Sequence, residues 1–205
     1  MKQDLLLLAF CTLADWEEWL AKQDSSSAGV WVKFAKAGSG VKTISKQEAI
    51  DGALCHGWID GQLQPFDEHY WLVRFTPRKV RSKWSEINRS RAQELIKAGR
   101  MRASGLAEIE RAKQDGRWEA AYASQSRIAV PEGLKIALAA QPGAEKLFGE
   151  LDSANRYAVL YRVAEAKKPE TRAARIAKIV DMLERGETFH PRRKPKTAPR
   201  SKQTD

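Results

Sequence analysis

Cysteine is scarce in this chain: Cys11 and Cys55 are the only two in 205 residues. Two thiols close at most one bridge, which excludes a disulfide-stapled scaffold and points to a reducing compartment, here the cytoplasm. Histidine is nearly as rare. His56, His69 and His190 lie far apart, and no Cys or His pair has ligand spacing, so no metal is expected. Also missing are a Gly-x-Ser-x-Gly elbow, a phosphate loop and a dinucleotide fingerprint, so neither a cofactor nor a catalytic residue is assigned. No apolar run approaches the ~20 residues that span a bilayer. The run Leu5 to Cys11 follows Lys2 as a secretory segment does. Asp4 breaks its positive flank, however, and bulky Phe10 stands where cleavage needs a small side chain, so it reads as a buried β-strand.

What is present fits an ordinary globular protein: 42% hydrophobic and 30% charged residues. The net charge of +10 is unevenly placed. Residues 78–102 hold nine basic side chains against Glu86 and Glu94, and residues 189–205 hold six against Asp205. The basic excess therefore sits in one internal stretch and one Pro-rich tail, and the tail has nothing apolar to bury. Six of the seven tryptophans lie between Trp16 and Trp84. After Trp118 the chain turns to Ala, Glu, Lys, Arg and Leu at helical spacing. With no Ser/Gly-rich linker between the halves, the expectation is a single α+β domain over 1–188, its α/β part about 1–80 and its helical part about 81–188, followed by a disordered basic tail over 189–205. A small antiparallel sheet with N-terminal helices is expected in the first part.

Local signals place the elements. Asp15 reads as an N-cap for a helix from Trp16 to about Lys22, and Val30 to Lys36 as a strand. Ser45-Lys46-Gln47-Glu48 is a capping box whose helix should stop before Gly57. Helices are expected over Trp84–Ala98, with Trp84, Ile87 and Leu95 inward, and over Leu106–Asp115. Further helices should open at Pro131, near Pro142, at Ser153 as a cap, and at Pro169. In the last, Ile176, Ile179, Val180 and Leu183 form one apolar stripe.

Gly57 to Gln64 and Tyr70 to Thr76 flank a five-residue turn and read as a hairpin. Pairing Gln64 with Tyr70 puts Ile59, Leu63, Trp71 and Phe75 on one face and sets Asp60 directly across from Arg74, beside Trp58 and Thr76.

The run Ala53-Leu54-Cys55-His56-Gly57-Trp58-Ile59-Asp60-Gly61 is recognisable together with Tyr70-Trp71-Leu72, Arg74-Phe75-Thr76-Pro77-Arg78, Ser82-Lys83-Trp84-Ser85 and Asn88. So are Ser153-Ala154-Asn155-Arg156-Tyr157, Ala166-Lys167-Lys168-Pro169-Glu170-Thr171-Arg172 and Arg175-Ile176. With these strings the chain resembles the YdeI/OmpD-associated family, also described as bacteriocin-protection proteins, over roughly residues 5 to 190. The resemblance implies a small bacterial protein linked to envelope stress and peptide-toxin protection, and carries no reaction or catalytic residue.

Two candidate sites follow from the residues. Cys55 and His56 are adjacent, so their side chains diverge and do not make a nucleophile–base pair. Cys55 reads as a small buried residue, and His56 as a cap of the preceding helix. The polar hairpin face is a candidate ligand site with His56, Trp58, Asp60, Arg74 and Thr76; its alternative is an Asp60–Arg74 ion pair that holds the sheet. Arg78, Lys79, Arg81, Lys83 and Arg89 form a candidate anion or nucleic-acid surface, or a solvated helix face. Three functions stand against one another: a non-enzymatic stress-protection or interaction protein, a nucleic-acid-binding protein, and a small-ligand sensor or enzyme centred on Asp60 and Arg74. The partner is a protein or a small anionic ligand in the first and last of these.

Overall fold

A computed structural model describes residues 5–123 and 128–191. The chain divides into two compact units, Met1–Ala123 and Ser124–Asp205. The first is α+β and the second is helical. No helix among the described residues is long and apolar enough to cross a membrane.

The first unit runs β1 (Leu6–Ala9), α1 (Leu13–Ala21), β2 (Val30–Ala35), α2 (Lys46–Cys55), β3 (Trp58–Pro65), β4 (Tyr70–Pro77), α3 (Glu86–Lys97) and α4 (Ala103–Gln114). Its four strands lie in the order β1-β2-β4-β3. The three later strands are antiparallel as expected, while β1 joins parallel to β2 through the α1 crossover, making the sheet mixed. The Leu-rich N-terminal run is a strand but not a buried one: as an edge it leaves Leu6 and Leu7 exposed.

Side-chain caps explain where helices start. Ser45 Oγ accepts from the Glu48 amide while Glu48 accepts from the Ser45 amide, as the sequence predicts for α2. For α1 the cap is Thr12, three residues before the expected Asp15. The Thr12 hydroxyl accepts from the Asp15 amide at 3.2 Å and donates to its carboxylate, so Asp15 is the partner of the cap rather than the cap itself. Likewise Asp152 caps α7, one residue before the expected Ser153. In α3 the inward residues are Ala92 and Leu95; Ile87, expected inward, is exposed.

The hairpin register differs from the expected one. Leu63 pairs with Val73, Asp60 with Phe75 and Ile59 with Thr76, with a bulge between Asp60 and Leu63. The bulge inserts one residue at Gly61–Gln62, where glycine accepts the kink, and this exchanges the faces of everything before it. Trp58, not Ile59, enters the core. Its ring meets Trp19 edge-on at 5.6 Å, and Trp19 stacks on Trp16 at 5.5 Å. Burying the larger indole against an aromatic cluster outweighs burying Ile59. Leu63 sits on the outlying hairpin end and is 59% exposed.

The second unit packs α5 (Glu132–Ala139), α6 (Pro142–Glu150), α7 (Ser153–Ala164) and α8 (Pro169–Glu184) around their own core. Ile176, Ile179, Val180 and Leu183 are all buried, as the stripe predicts. Asn155, almost fully buried, donates to the His190 carbonyl and accepts from the His190 amide, tying the end of the unit to α7. Phe189, placed by sequence in the tail, packs on this core under the Arg162 guanidinium. Most of the expected disordered tail, residues 192–205, lies outside the described residues.

Candidate functional site

The α2–β3 junction is built by two close backbone approaches. Helix α2 ends at Cys55, His56 is its C-cap, and Gly57 turns the chain with φ +76°, a conformation glycine adopts without penalty. The start of α4 docks directly on this turn. The Arg102 amide donates to the Cys55 carbonyl at 3.0 Å. A Cβ on Gly105 would stand 2.3 Å from that same carbonyl oxygen, so only glycine lets the two helix ends meet. Helix α1 is fixed to α2 by the Trp16 indole N–H, which donates to the Ala49 carbonyl at 3.0 Å.

These three elements line an open cleft of about 580 Å³. Glu17 and Glu18 line it from α1, His56 from the end of α2, and Arg102 and Ser104 from the start of α4. The Glu17 carboxylate accepts from Arg100 at 3.0 Å and stands 3.7 Å from Arg102; Glu18 pairs with Lys22 at 2.7 Å. The local acids are thus matched by neighbouring bases, while the Arg102 side chain remains 61% exposed. His56 is 9% exposed, and its Nε2 is buried without a hydrogen-bond partner among the described residues. Burial holds its pKa below the ordinary histidine value, against the pull of Glu17. The ring is therefore neutral near pH 7. No side chain caps α4, since its N-cap residue is Arg102, which has no acceptor. Burial pushes the Cys55 thiol up, so it is a packed thiol rather than a thiolate, in keeping with the sequence reading.

The hairpin residues are distributed differently from the expected polar face. Because Asp60 pairs with Phe75, it shares the helix-covered face, where its carboxylate lies 3.8 Å from Lys46 at the start of α2. Arg74 and Thr76 point to the opposite face, and an Arg74 Nη donates to the Ala28 carbonyl. Asp60 and Arg74 therefore do not pair. Trp58 is in the core, and His56 is the member of that set that lines this cleft.

The basic set separates as well. Lys79, Arg81 and Lys83 are exposed on the loop after β4. Arg78 is 4% exposed, its guanidinium 3.6 Å above the Trp84 ring and bonded to the Lys83 carbonyl. Burial pushes its pKa down to about 10, so it stays charged at neutral pH. Its amide donates to the Gly57 carbonyl at 2.9 Å, which makes Arg78 part of the scaffold behind the cleft. Arg89 donates to the Trp118 carbonyl.

Glu17, Arg102 and Ser104 were not singled out by sequence reasoning. Glu17 meets Arg100 across a separation of 83 residues, and no local pattern links positions that distant. The legible signal was indirect: two glycines, Gly57 and Gly105, that mark where backbones touch.

Residues 127–186 match the family model described as "Bacteriocin-protection, YdeI or OmpD-Associated". That match contains the Ser153–Tyr157 and Ala166–Arg172 strings. Residues 8–108, which contain the cleft and the Cys55–Gly61 string, match "Domain of unknown function (DUF8412)". No curated protein and no solved structure matches the chain.

Proposed function

From the premise that the chain carries a domain of the bacteriocin-protection, YdeI or OmpD-associated family at residues 127–186, we propose that it is a non-enzymatic bacterial stress-protection protein that works by binding, and that its binding site is the His56 cleft. The observation that carries the site is the cleft itself, where Glu17 of α1, His56 at the end of α2 and Arg102 before α4 line one recess. The neutral imidazole and the packed Cys55 thiol favour recognition over covalent chemistry.

Cells expressing the chain and vector controls are challenged with a bacteriocin peptide, and survivors are counted. The proposal expects more survivors with the chain, fewer with a folded His56→Leu variant, and unaltered peptide mass after incubation with purified protein. Equal survival with and without the chain overturns the protective role. Equal protection by His56→Leu overturns the site, and a covalently altered peptide overturns the non-enzymatic reading.

A further inference from the structure

We infer that the face of the sheet turned away from α1 and α2 is a binding surface for single-stranded nucleic acid. It is separate from the cleft and from the exposed basic loop after β4.

Strand alternation sorts the sheet into two faces. Helices α1 and α2 cover one of them: Trp16, Leu20, Ala49 and Ala53 share a core with Val30, Val32 and Phe34 of β2 and with Val73 and Phe75 of β4. The residues between these point the other way. On β2 they are Trp31 and Lys33; on β4 they are Tyr70, Leu72 and Arg74, and Trp31 pairs directly with Arg74. Leu72 is buried, with Lys33 and Gln64 as its cross-strand neighbours. Trp31, Lys33, Tyr70 and Arg74 are partly exposed, and none of them belongs to a core cluster of the described residues. Two large aromatic rings are thus held on a sheet outside any core.

The charge on this face is of one sign. The Lys33 ammonium stands 5.1 Å from the Phe66 ring centre and 5.4 Å from that of Tyr70, which brings the exposed turn residue Phe66 to the same face. Arg74 donates to the Ala28 carbonyl and, like Lys33, is in no ion pair among the described residues. Asp60 is the only acid in the four strands, and it lies on the helix-covered face, 3.8 Å from Lys46. In the turn, the Asp67 carboxylate accepts from the His69 and Tyr70 amides, so it is committed to the turn. Cations without facing acids are complementary in charge to a polyanion, and partly exposed rings select one whose units have flat faces. Tyr70 pairs with Ala35, four residues beyond Trp31, so the two rings lie about 13 Å apart along the strands with Lys33 between them. A duplex hides the faces of its bases and an anionic membrane offers none, whereas a single strand presents both phosphates and bases.

The test is fluorescence anisotropy of labelled oligothymidylate and oligouridylate strands, each about 12 nucleotides long, titrated with the full chain. A duplex and an abasic strand of the same length are the comparison probes. Saturable binding of a single strand is expected, with the duplex and the abasic strand about tenfold weaker. The two single-strand arms show whether DNA or RNA is preferred, and binding of either supports the face. Trp31→Ala and Tyr70→Ala should each weaken single-strand binding about tenfold and leave abasic binding unchanged. Trp31→Phe keeps a ring and should restore most of the affinity, which separates loss of stacking from loss of fold. Lys33→Gln should lower the slope of log affinity against log salt by about 0.7. Single-strand binding no tighter than abasic binding overturns the inference, as does full affinity in Trp31→Ala and Tyr70→Ala. Binding that only Lys79→Glu/Arg81→Glu removes assigns the nucleic acid to the loop and also overturns it. So does binding of anionic phospholipid vesicles in place of the single strands.

Discussion

The contact between the end of α2 and the start of α4 makes a quantitative prediction about Gly105. A Cβ there would lie 2.3 Å from the Cys55 carbonyl oxygen, 2.8 Å from its carbon and 2.7 Å from Met101 Cε. The methionine tip can rotate away, but the Cys55 backbone cannot move without disturbing the bond it receives from the Arg102 amide. Glycine-to-alanine inside a helix gains about 1 kcal/mol of intrinsic propensity. Against that stand overpacking, at about 1–3 kcal/mol, and the weakening of a backbone hydrogen bond worth about 1 kcal/mol. Gly105→Ala should therefore destabilise the first unit by about 1–3 kcal/mol, lowering Tm by about 4–12 °C for a unit of this size. Gly149 in α6 is the control, because a Cβ there meets nothing within 4 Å. Gly149→Ala should be neutral or stabilising by up to about 1 kcal/mol. Thermal unfolding followed by circular dichroism reads both variants. A Gly105→Ala protein that melts at or above the parent temperature refutes the close-approach reasoning, and with it the way the cleft is built.

Removing Arg78, which stacks on Trp84, should cost about 2–4 kcal/mol in Arg78→Ala and red-shift tryptophan emission, measured by denaturant titration. Asn155→Ala deletes the side-chain bonds to His190 and should cost about 1–3 kcal/mol, with faster hydrogen exchange at the His190 amide. His56 contributes a pH dependence of known sign. Its folded pKa lies below 6.5, so its neutral form is the one the fold accepts. Above 6.5 that contribution is complete. As pH falls below 6.5 the unfolded chain takes up a proton the folded chain refuses, and stability drops until the folded pKa is passed. The stability difference between parent and His56→Gln should show this slope; a flat difference from pH 7 to 5 contradicts it. If the exposed loop basics act on nucleic acid, a chain ending at 191 binds it with a log affinity that falls steeply with log salt, and Lys79→Glu/Arg81→Glu removes that binding in a gel-shift assay.

Much of the fold is legible in local pattern. The Ser45–Glu48 box, the Pro169 start and the Ile176–Leu183 stripe are each decided by groups three or four residues apart, and the structure has them as expected. Cap identity is less legible at α1 and α7, where two competent side chains stand near each other and backbone direction selects Thr12 over Asp15 and Asp152 over Ser153. The hairpin marks the limit. Alternation predicted its faces, but a single inserted residue at Gly61–Gln62 reverses them, and an inserted residue leaves no trace in a pattern of period two.

The sequence by itself determined the secondary structure, the α+β class, the packing of Cys55 and the family resemblance, because each depends on residue types close together in the chain. Tertiary structure alone decided that Trp58 enters the core, that Asp60 and Arg74 face opposite sides of the sheet, and that Arg78 is scaffold rather than surface. It also decided the cleft. Glu17 comes from the middle of α1, His56 from the end of α2 and Arg102 from the start of α4, and the last two are brought together by the backbone contacts at Gly57 and Gly105.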